Sequence, residues 1–282
     1  MSAHLTIAHF TDPSCPFAFS AEPRMRRMEW QLGDQAVWHT CMVGLVSHPD
    51  EAAARGLTPA RLTASHAQFA SRFGMPITTA PVTRLYSTIP ACRAIVAARL
   101  FAPEKEPLLL RAFRVRHFGG HLLDGPETLA MAAADAHLAL DDLQAAIDDP
   151  ASGHLLAADM AAARTPTPAA LAQPARLGGP EGEQRYTCPS LEFTHVNGTT
   201  MAAPGFQPDE SYDLALANLD PTLVRRAPAS DVRQALDWAP FPLATVEVAA
   251  ICDIDPDQAA SELHAVATET VVGTGSYWTR AC

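Results

Sequence analysis

The first 45 residues contain a strand, a helix and a second strand in that order, and this order constrains the fold more than any other feature of the chain. Residues 4–10 (HLTIAHF) form an apolar run that an Asp-Pro pair ends, as a buried strand does. Residues 20–33 carry apolar side chains at helical spacing and finish on a glycine, which predicts a helix and its end. Residues 36–45 (AVWHTCMVGL) predict a second strand. A unit of this kind favours a parallel sheet with a crossover helix.

The next hundred residues are alanine-rich, with helical periodicity and little strand signal. Proline, glycine and aspartate divide them into predicted helices near 58–73, 88–101, 105–118, 126–137 and 139–163. This pattern predicts a helical insertion over residues 47–163. Residues 165–185 then hold four prolines and three glycines and predict a loop, which is either a lid or a disordered connection.

A second group of strands follows this loop. Residues 185–206 predict two strands joined at Asn197-Gly198, a pair favoured where a tight hairpin turn needs a positive φ. Residues 208–219 predict a helix with a proline and acidic residues in its first turn. The predicted order is therefore β-α-β, helical insertion, β-β-α.

Composition limits the classes of function. The chain has 282 residues, of which 48% are hydrophobic and 18% charged, enough for a folded core. No segment approaches the roughly 20 apolar residues needed to span a bilayer, and the start has no basic, apolar leader, so we expect a cytoplasmic protein without a membrane partner. The formal net charge of -11 disfavours nucleic acid as a partner.

The stretch FTDPSCPFAF, residues 10–19, places a lone cysteine where the first strand gives way to a helix. Backbone N–H groups and the positive end of the dipole at a helix N-terminus stabilise a thiolate, so we expect Cys15 to be a nucleophile with a pKa below the roughly 8.5 of a free thiol. A Cys-x-x-Cys pair would form a redox dithiol, but position 18 is alanine. Cys15 must therefore act alone, use a distant partner, or have lost its role.

Two motifs make the chain similar to the DsbA-like branch of the thioredoxin superfamily. DPSCPFAF resembles the active-site start of that branch, and TCPSLEF with its Asn-Gly hairpin resembles the strand that carries a cis proline. The resemblance implies an α/β, thioredoxin-like fold made of residues 1–46 and 164–219, with a helical insertion between them. It departs from the family pattern at Ala18, where the second cysteine is expected, and at Cys188, where threonine or valine is usual.

The resemblance also implies the site. It brings the residue before the cis proline close to the nucleophile, so the candidate catalytic residues are Cys15 and Cys188, the latter as resolver or as a second holder of a thiophilic ligand. The candidate substrate-binding residues are Pro189, Pro16, Phe17, Asp12 and Cys92.

Three functions follow from this scaffold. The first is thiol-disulfide exchange with a protein or small-molecule thiol substrate, in which a low-molecular-weight thiol can serve as co-substrate. The second is a glutathione-dependent isomerase, an activity that some thioredoxin-fold relatives have. The third is a non-catalytic adaptor, since a fold does not itself confer function. Formation of a homodimer stays open.

The positions of the remaining cysteines indicate no further catalytic or metal site. Cys41 and Cys252 lie in apolar runs, where core packing is the better interpretation, and Cys282, as the last residue, is expected to fray. Cys92 lies near the start of an inserted helix, where it either lines the active-site cleft or packs in the protein core. A three-thiol cluster of Cys15, Cys92 and Cys188 could bind a soft metal, but no spacing signature supports a metal site.

Residues 220–282 lie outside the thioredoxin resemblance. They predict three helices and a final hairpin with a Gly-rich tip, which suggests a winged-helix-like module. Residues 221–282 contain four arginines, no lysine and eight acidic residues. This charge opposes binding to duplex DNA and favours docking or dimerisation.

Overall fold

The computed structural model describes residues 4–281 and contains two β-sheets surrounded by helices. The strands are β1 (Leu5–Thr11), β2 (Ala36–Met42), β3 (Ser190–His195), β4 (Thr200–Ala203), β5 (Leu243–Ala244), β6 (Ala267–Val272) and β7 (Gly275–Arg280). The α-helices are α1 (Pro16–Ser20), α2 (Glu22–Leu32), α3 (Pro49–Ala54), α4 (Pro59–Phe73), α5 (Ile89–Ala97), α6 (Glu106–Phe118), α7 (Pro126–Asp135), α8 (Leu140–Asp148), α9 (Pro150–Ala163), α10 (Pro168–Leu171), α11 (Asp209–Leu219), α12 (Val232–Trp238), α13 (Thr245–Cys252) and α14 (Pro256–His264). None of the helices within residues 4–281 combines the length and the apolar character needed to cross a membrane.

The first sheet has the strand order β2-β1-β3-β4. Strands β1 and β2 are parallel, and β3 runs antiparallel to β1 and to β4. The hairpin between β3 and β4 turns at Gly198, whose φ of 87° is a conformation that suits glycine. The protein therefore has the α/β architecture with a thioredoxin-like sheet that its sequence predicts.

Each face of this sheet has its own packing partners. Ile7 of β1 packs against apolar residues of α2 and α11. Phe10 points to the other face, where its ring stacks on Tyr186 at 3.9 Å between centroids. This alternation along β1 follows from the two-residue period of a strand. The two faces of the sheet therefore pack against different sets of residues.

The helices α3 to α9 lie between β2 and β3 in the sequence, and α5 to α9 share a core of their own. The prediction of one helix over residues 139–163 is wrong, because the chain forms two helices that meet at Asp149. The Asp149 side chain accepts a hydrogen bond from Ala151 N at 2.8 Å, and Pro150 is the first residue of α9. Capping and proline at this position end one helix and begin the next.

The proline-rich segment 165–185 is packed onto the first sheet. It contains the single-turn helix α10 and a bridge between Gly178 and Arg185, and the Gln173 side chain donates to Ala202 O at 3.0 Å on β4. The prediction of a loop over residues 165–185 is therefore wrong at α10, which is helical. The segment covers one edge of the sheet.

The C-terminal segment forms α12, β5, α13, α14 and the β6-β7 hairpin, with strand order β5-β7-β6. Its core includes Val248, Leu263 and Trp278, and Trp30 of α2 packs into the same cluster. The helices and hairpin lie where the sequence predicts them, while the winged-helix name stays a prediction. The division into three parts stays a proposal, and Cys282 lies outside the described residues.

A buried ionic network connects α2, α6 and α13. Glu22 of α2 pairs with Arg114 and, at 3.3 Å, with Arg111, both from α6. Arg111 also binds Glu247 of α13 through two hydrogen bonds of 2.7 and 2.5 Å. Because unpaired buried charges are costly, this network holds α2 against α6, and α6 against α13.

Candidate active site

Cys15 lies at the turn between β1 and the helices that follow it. Asp12-Pro13 ends β1, Cys15 is the N-cap of α1 with extended backbone angles (φ -74°, ψ 113°), and Pro16 occupies the first helical position. A proline is tolerated there because its missing N–H would have no partner within the helix. Cys15 is only 6% exposed, so little of the residue is accessible from outside.

Cys188 and Pro189 lie at the same end of the sheet. Phe10, near the end of β1, pairs with Ser190 at the start of β3. The turn that follows β1 and the residues that precede β3 therefore lie at the same end of the sheet. The Cys188–Pro189 peptide bond is cis, and the Cys15 thiol donates a hydrogen bond to the backbone carbonyl of Cys188 at 3.3 Å. The structure thus brings together the two cysteines that the sequence nominates, and Cys188 is 7% exposed.

The surroundings of Cys15 lower its pKa. The largest cause is a hydrogen bond from the Cys188 thiol, and the backbone N–H groups of Ala18 and Phe17 add to it. Burial and the negative charge of Asp12 act in the opposite direction and are outweighed. The protonated thiol donates to the Cys188 carbonyl, whereas the thiolate accepts from the Cys188 thiol and the backbone, so each protonation state has a partner.

The pKa of Cys188 is raised well above that of a free thiol. Burial is the main cause, followed by its hydrogen bond to Cys15 and the nearby negative charges. The surroundings therefore separate the pKa values of the two thiols, with Cys15 as the more acidic member. The thiolate is the nucleophilic form of cysteine, and of these two thiols Cys15 is the one whose surroundings favour it.

The Asp12 side chain stabilises the Cys15 turn. Its carboxylate is completely buried and accepts hydrogen bonds from Ser14 N at 2.9 Å, Leu45 N at 2.8 Å and the Thr88 hydroxyl at 3.1 Å. These bonds tie the Cys15 turn to the loop after β2 and to the start of α5. The sequence nominated Asp12 as a substrate-binding residue, but without exposed surface it supports the turn instead.

Cys92, also named from the sequence as a substrate-binding residue, is likewise buried. It is completely buried in the first turn of α5, its thiol lies 3.6 Å from Asp12 Oδ2, and its pKa is raised well above normal, chiefly by burial. With no exposed surface, Cys92 does not line a cleft, and it packs in the core instead. The described residues contain no group of three or more side chains arranged to hold a metal ion, so the suggested three-thiol metal cluster is not formed there.

Phe17 is the exposed part of the site, with 44% of its surface accessible beside Cys15. Its ring contacts Phe69 of α4 with centroids 4.6 Å apart and lies 5.6 Å from the ring of Phe206, which follows β4. The half-buried Pro16 and the buried Pro189 flank the cysteines. Sequence reasoning missed Phe69 and Phe206, since nothing in their local patterns distinguishes them from core residues.

Two other cysteines fit the packing interpretation. Burial raises the pKa of Cys41 to about 12 and that of Cys252 to about 11. Neither thiol is activated at neutral pH.

Comparison with known proteins agrees with this geometry. The model of the DSBA-like thioredoxin domain matches residues 6–166. A candidate protein disulfide isomerase from Nitrosomonas europaea is 16% identical, with a TM-score of 0.57, and the match covers 76% of this chain and 97% of that one. No curated protein matches the sequence significantly.

Two further solved structures share the fold. The cytosolic disulfide reductase DsbM from Pseudomonas aeruginosa is 14% identical with a TM-score of 0.52, covering 76% of this chain and all of that one. A probable DsbA oxidoreductase from Streptomyces coelicolor is 17% identical with a TM-score of 0.51, covering 80% and 93%. Because the family model spans more than half of the 282 residues, this chain belongs to the DSBA-like thioredoxin domain family.

Proposed function

We propose that this protein catalyses thiol-disulfide exchange, with Cys15 as the nucleophile and Cys188 as its resolving partner. The observation that carries the proposal is the 3.3 Å hydrogen bond from Cys15 Sγ to the Cys188 carbonyl, since it joins the helix-capping cysteine to the residue before the cis proline. Membership of the DSBA-like family, with a disulfide reductase and a probable oxidoreductase among the proteins of similar fold, supports oxidoreductase chemistry. Ala18 cannot supply the second thiol.

In the first half of the cycle the Cys15 thiolate attacks one sulfur of a substrate disulfide. The Cys15–substrate bond forms, the substrate S–S bond breaks, and the other substrate sulfur leaves as a thiolate that takes up a proton. The lowered pKa of Cys15 supports this step, because the thiolate is the reactive form.

In the second half the Cys188 thiol loses its proton and attacks Cys15 Sγ. A Cys15–Cys188 disulfide forms, and the second substrate sulfur leaves as a thiol, so the substrate gains two electrons and the protein loses them. The negative charge of Cys15, one cause of the high pKa of Cys188, disappears once Cys15 is in the mixed disulfide. Formation of the first bond thereby makes the second attack easier.

A low-molecular-weight thiol such as glutathione completes the cycle. Two thiol molecules reduce the Cys15–Cys188 disulfide and become a disulfide themselves. The exposed ring of Phe17 offers an apolar surface next to Cys15 for the substrate. We place this reaction in the cytoplasm, as in the cytosolic reductase of similar fold.

The direct test is turnover of hydroxyethyl disulfide with glutathione as reductant. We expect Cys15→Ser to lose activity to the level of glutathione alone, since a hydroxyl at this position cannot form the mixed disulfide. Cys252→Ala removes a buried thiol of the C-terminal segment and is the matched control, with activity retained. Equal activity of Cys15→Ser and the unaltered protein would rule out the proposed nucleophile.

A further inference from the structure

A cavity of about 510 Å³ lies between the inserted helices and the C-terminal segment. Side chains of α6 and α7 form its walls on one side, and residues 240–242, β6 and β7 form them on the other. Its lining residues are different from those of the cluster that holds Cys15 and Cys188. The cavity is therefore separate from the proposed active site.

The sequence Pro240-Phe241-Pro242 explains one of the walls. A proline lacks the N–H that a helix or a sheet needs, and it biases the residue before it towards an extended backbone. The three residues therefore cross from α12 to β5 without joining either element. The ring of the half-buried Phe241 faces α6, with its centre 5.1 Å from the Arg111 guanidinium.

The wall of the cavity is mostly apolar. Leu108 and Val115 of α6, Phe241, and Val272 of β6 line it, and all four are only half-buried. Water on such a surface is released favourably when an apolar body takes its place. The volume falls within the range of small-molecule sites, roughly 300–1,000 Å³, which are mostly apolar as well. The size and the wall therefore suit a small apolar molecule.

The charges in the wall compensate each other. Its charged side chains are Arg111, Arg116 and Asp135. Arg116 donates two hydrogen bonds to Asp135, of 2.6 and 2.7 Å, and Arg111 donates two to Glu247. An ion that entered the cavity would lose its water without gaining an unpaired opposite charge. The wall therefore favours an uncharged ligand.

Two histidines supply polar groups that a ligand can reach. His121 is half-buried and His137 is exposed, and both line the cavity. Within residues 4–281 neither imidazole ring has a hydrogen-bond partner, since His121 and His137 bond other residues only through their backbones. An imidazole ring can donate through one nitrogen and accept through the other. These rings can therefore orient a ligand that carries one neutral polar group.

We propose that this cavity binds an uncharged, largely apolar small molecule that carries one hydrogen-bonding group. Its apolar body lies against Val115, Phe241 and Val272, and its polar group is directed to His121 and His137. The site is independent of the exchange reaction proposed for Cys15.

Fluorescence of prodan, a neutral naphthalene that carries a ketone, tests the site. The full chain is titrated into a fixed low concentration of the probe, whose emission shifts to the blue in an apolar environment. We expect a Kd of about 200 µM or tighter. The competitors 2-naphthol, 2-naphthoate and 2-naphthylmethylamine carry the same ring as neutral, anionic and cationic molecules. We expect 2-naphthol to displace prodan at concentrations at least about tenfold lower than either ion does.

Two substitutions of exposed alanines locate the bound probe. Ala134 lines the cavity from α7, so the indole of Ala134→Trp is expected to fill part of it and to weaken prodan binding about tenfold or more. Ala157→Trp, at an exposed position of α9 away from the cavity, is the matched control and is expected to leave the Kd unchanged.

Removal of both imidazole rings tests the polar contact. The double variant His121→Ala, His137→Ala is expected to weaken prodan binding about threefold or more, because the ketone loses its donor. A crystal structure of the prodan complex is expected to place the naphthalene ring beside Phe241 and Val272.

Four results would overturn the proposal. They are an unchanged prodan emission with protein at about ten times the expected Kd, displacement by either ion as effective as that by 2-naphthol, equal prodan affinity in Ala134→Trp and Ala157→Trp, or an unchanged affinity in the double histidine variant. Prodan found only outside the cavity in the crystal structure would do the same.

Discussion

A protein with Cys188→Ala is expected to accumulate the mixed disulfide at Cys15 and to turn over on the order of 100-fold more slowly, because an external thiol must replace a neighbouring one. Adding Ala18→Cys to this variant is expected to restore turnover. Position 18 is three residues after Cys15 on the same helical turn, and side chains at that spacing are neighbours. Mass spectrometry of the trapped adduct and the hydroxyethyl disulfide assay measure the two effects.

The rescue separates a chemical role of Cys188 from a packing role. Ala18→Cys in the presence of native Cys188 is the control, and it is expected to fold and to remain active. If Cys188→Ala turned over at the native rate, or if Ala18→Cys failed to restore a folded but inactive Cys188→Ala protein, Cys188 would not be the resolving thiol.

The largest expected loss of stability comes from Glu22→Gln. Glu22 is 1% exposed and pairs with Arg26, Arg111 and Arg114. Removal of one partner from a buried ionic network costs about 3–5 kcal/mol, because the remaining charges stay buried without compensation. Urea unfolding at pH 7 measures the change in the free energy of unfolding. The exposed Glu210→Gln, on α11, is the control and should stay within about 0.5 kcal/mol of the native protein.

Glu22 also predicts a pH dependence. Burial alone would raise its pKa, but Arg114, Arg26 and Arg111 outweigh burial and lower it to about 2 from 4.5. A lowered carboxyl pKa stabilises the folded state above the unfolded value, and this contribution is lost as the pH falls from about 4.5 towards about 2. Glu22→Gln should therefore flatten the acid side of the stability curve. An unchanged slope, or a loss below about 1 kcal/mol at pH 7, would contradict this account of the network.

Local signals in the sequence predicted most of the elements. The Asp-Pro pair after β1, the glycine after α2 and the Asn-Gly turn between β3 and β4 each act within a few residues, so their effects can be deduced without a partner. The break at Asp149-Pro150 was also local, and a cap followed by a proline at the first helical position would have revealed it.

The parts that were not predicted depend on contacts between distant residues. Asp12 has its role because Leu45 and Thr88 are brought to it, and Cys92 is directed to the same carboxylate rather than to the cleft. The ionic network joins Glu22 to arginines about ninety residues away. No periodicity or short motif contains such pairings, since only the packed fold specifies which buried charges meet.

The central claim is that Cys15 and Cys188 form one redox pair, and mapping of the disulfide after mild oxidation tests it most directly. The folded protein is treated with a slight excess of oxidised glutathione, free thiols are alkylated, and the peptides are separated without reduction. The account predicts a Cys15–Cys188 disulfide, with Cys41, Cys92 and Cys252 alkylated only after unfolding. Cys15 found as a stable glutathione adduct with Cys188 still a thiol, or paired with another cysteine, would contradict it.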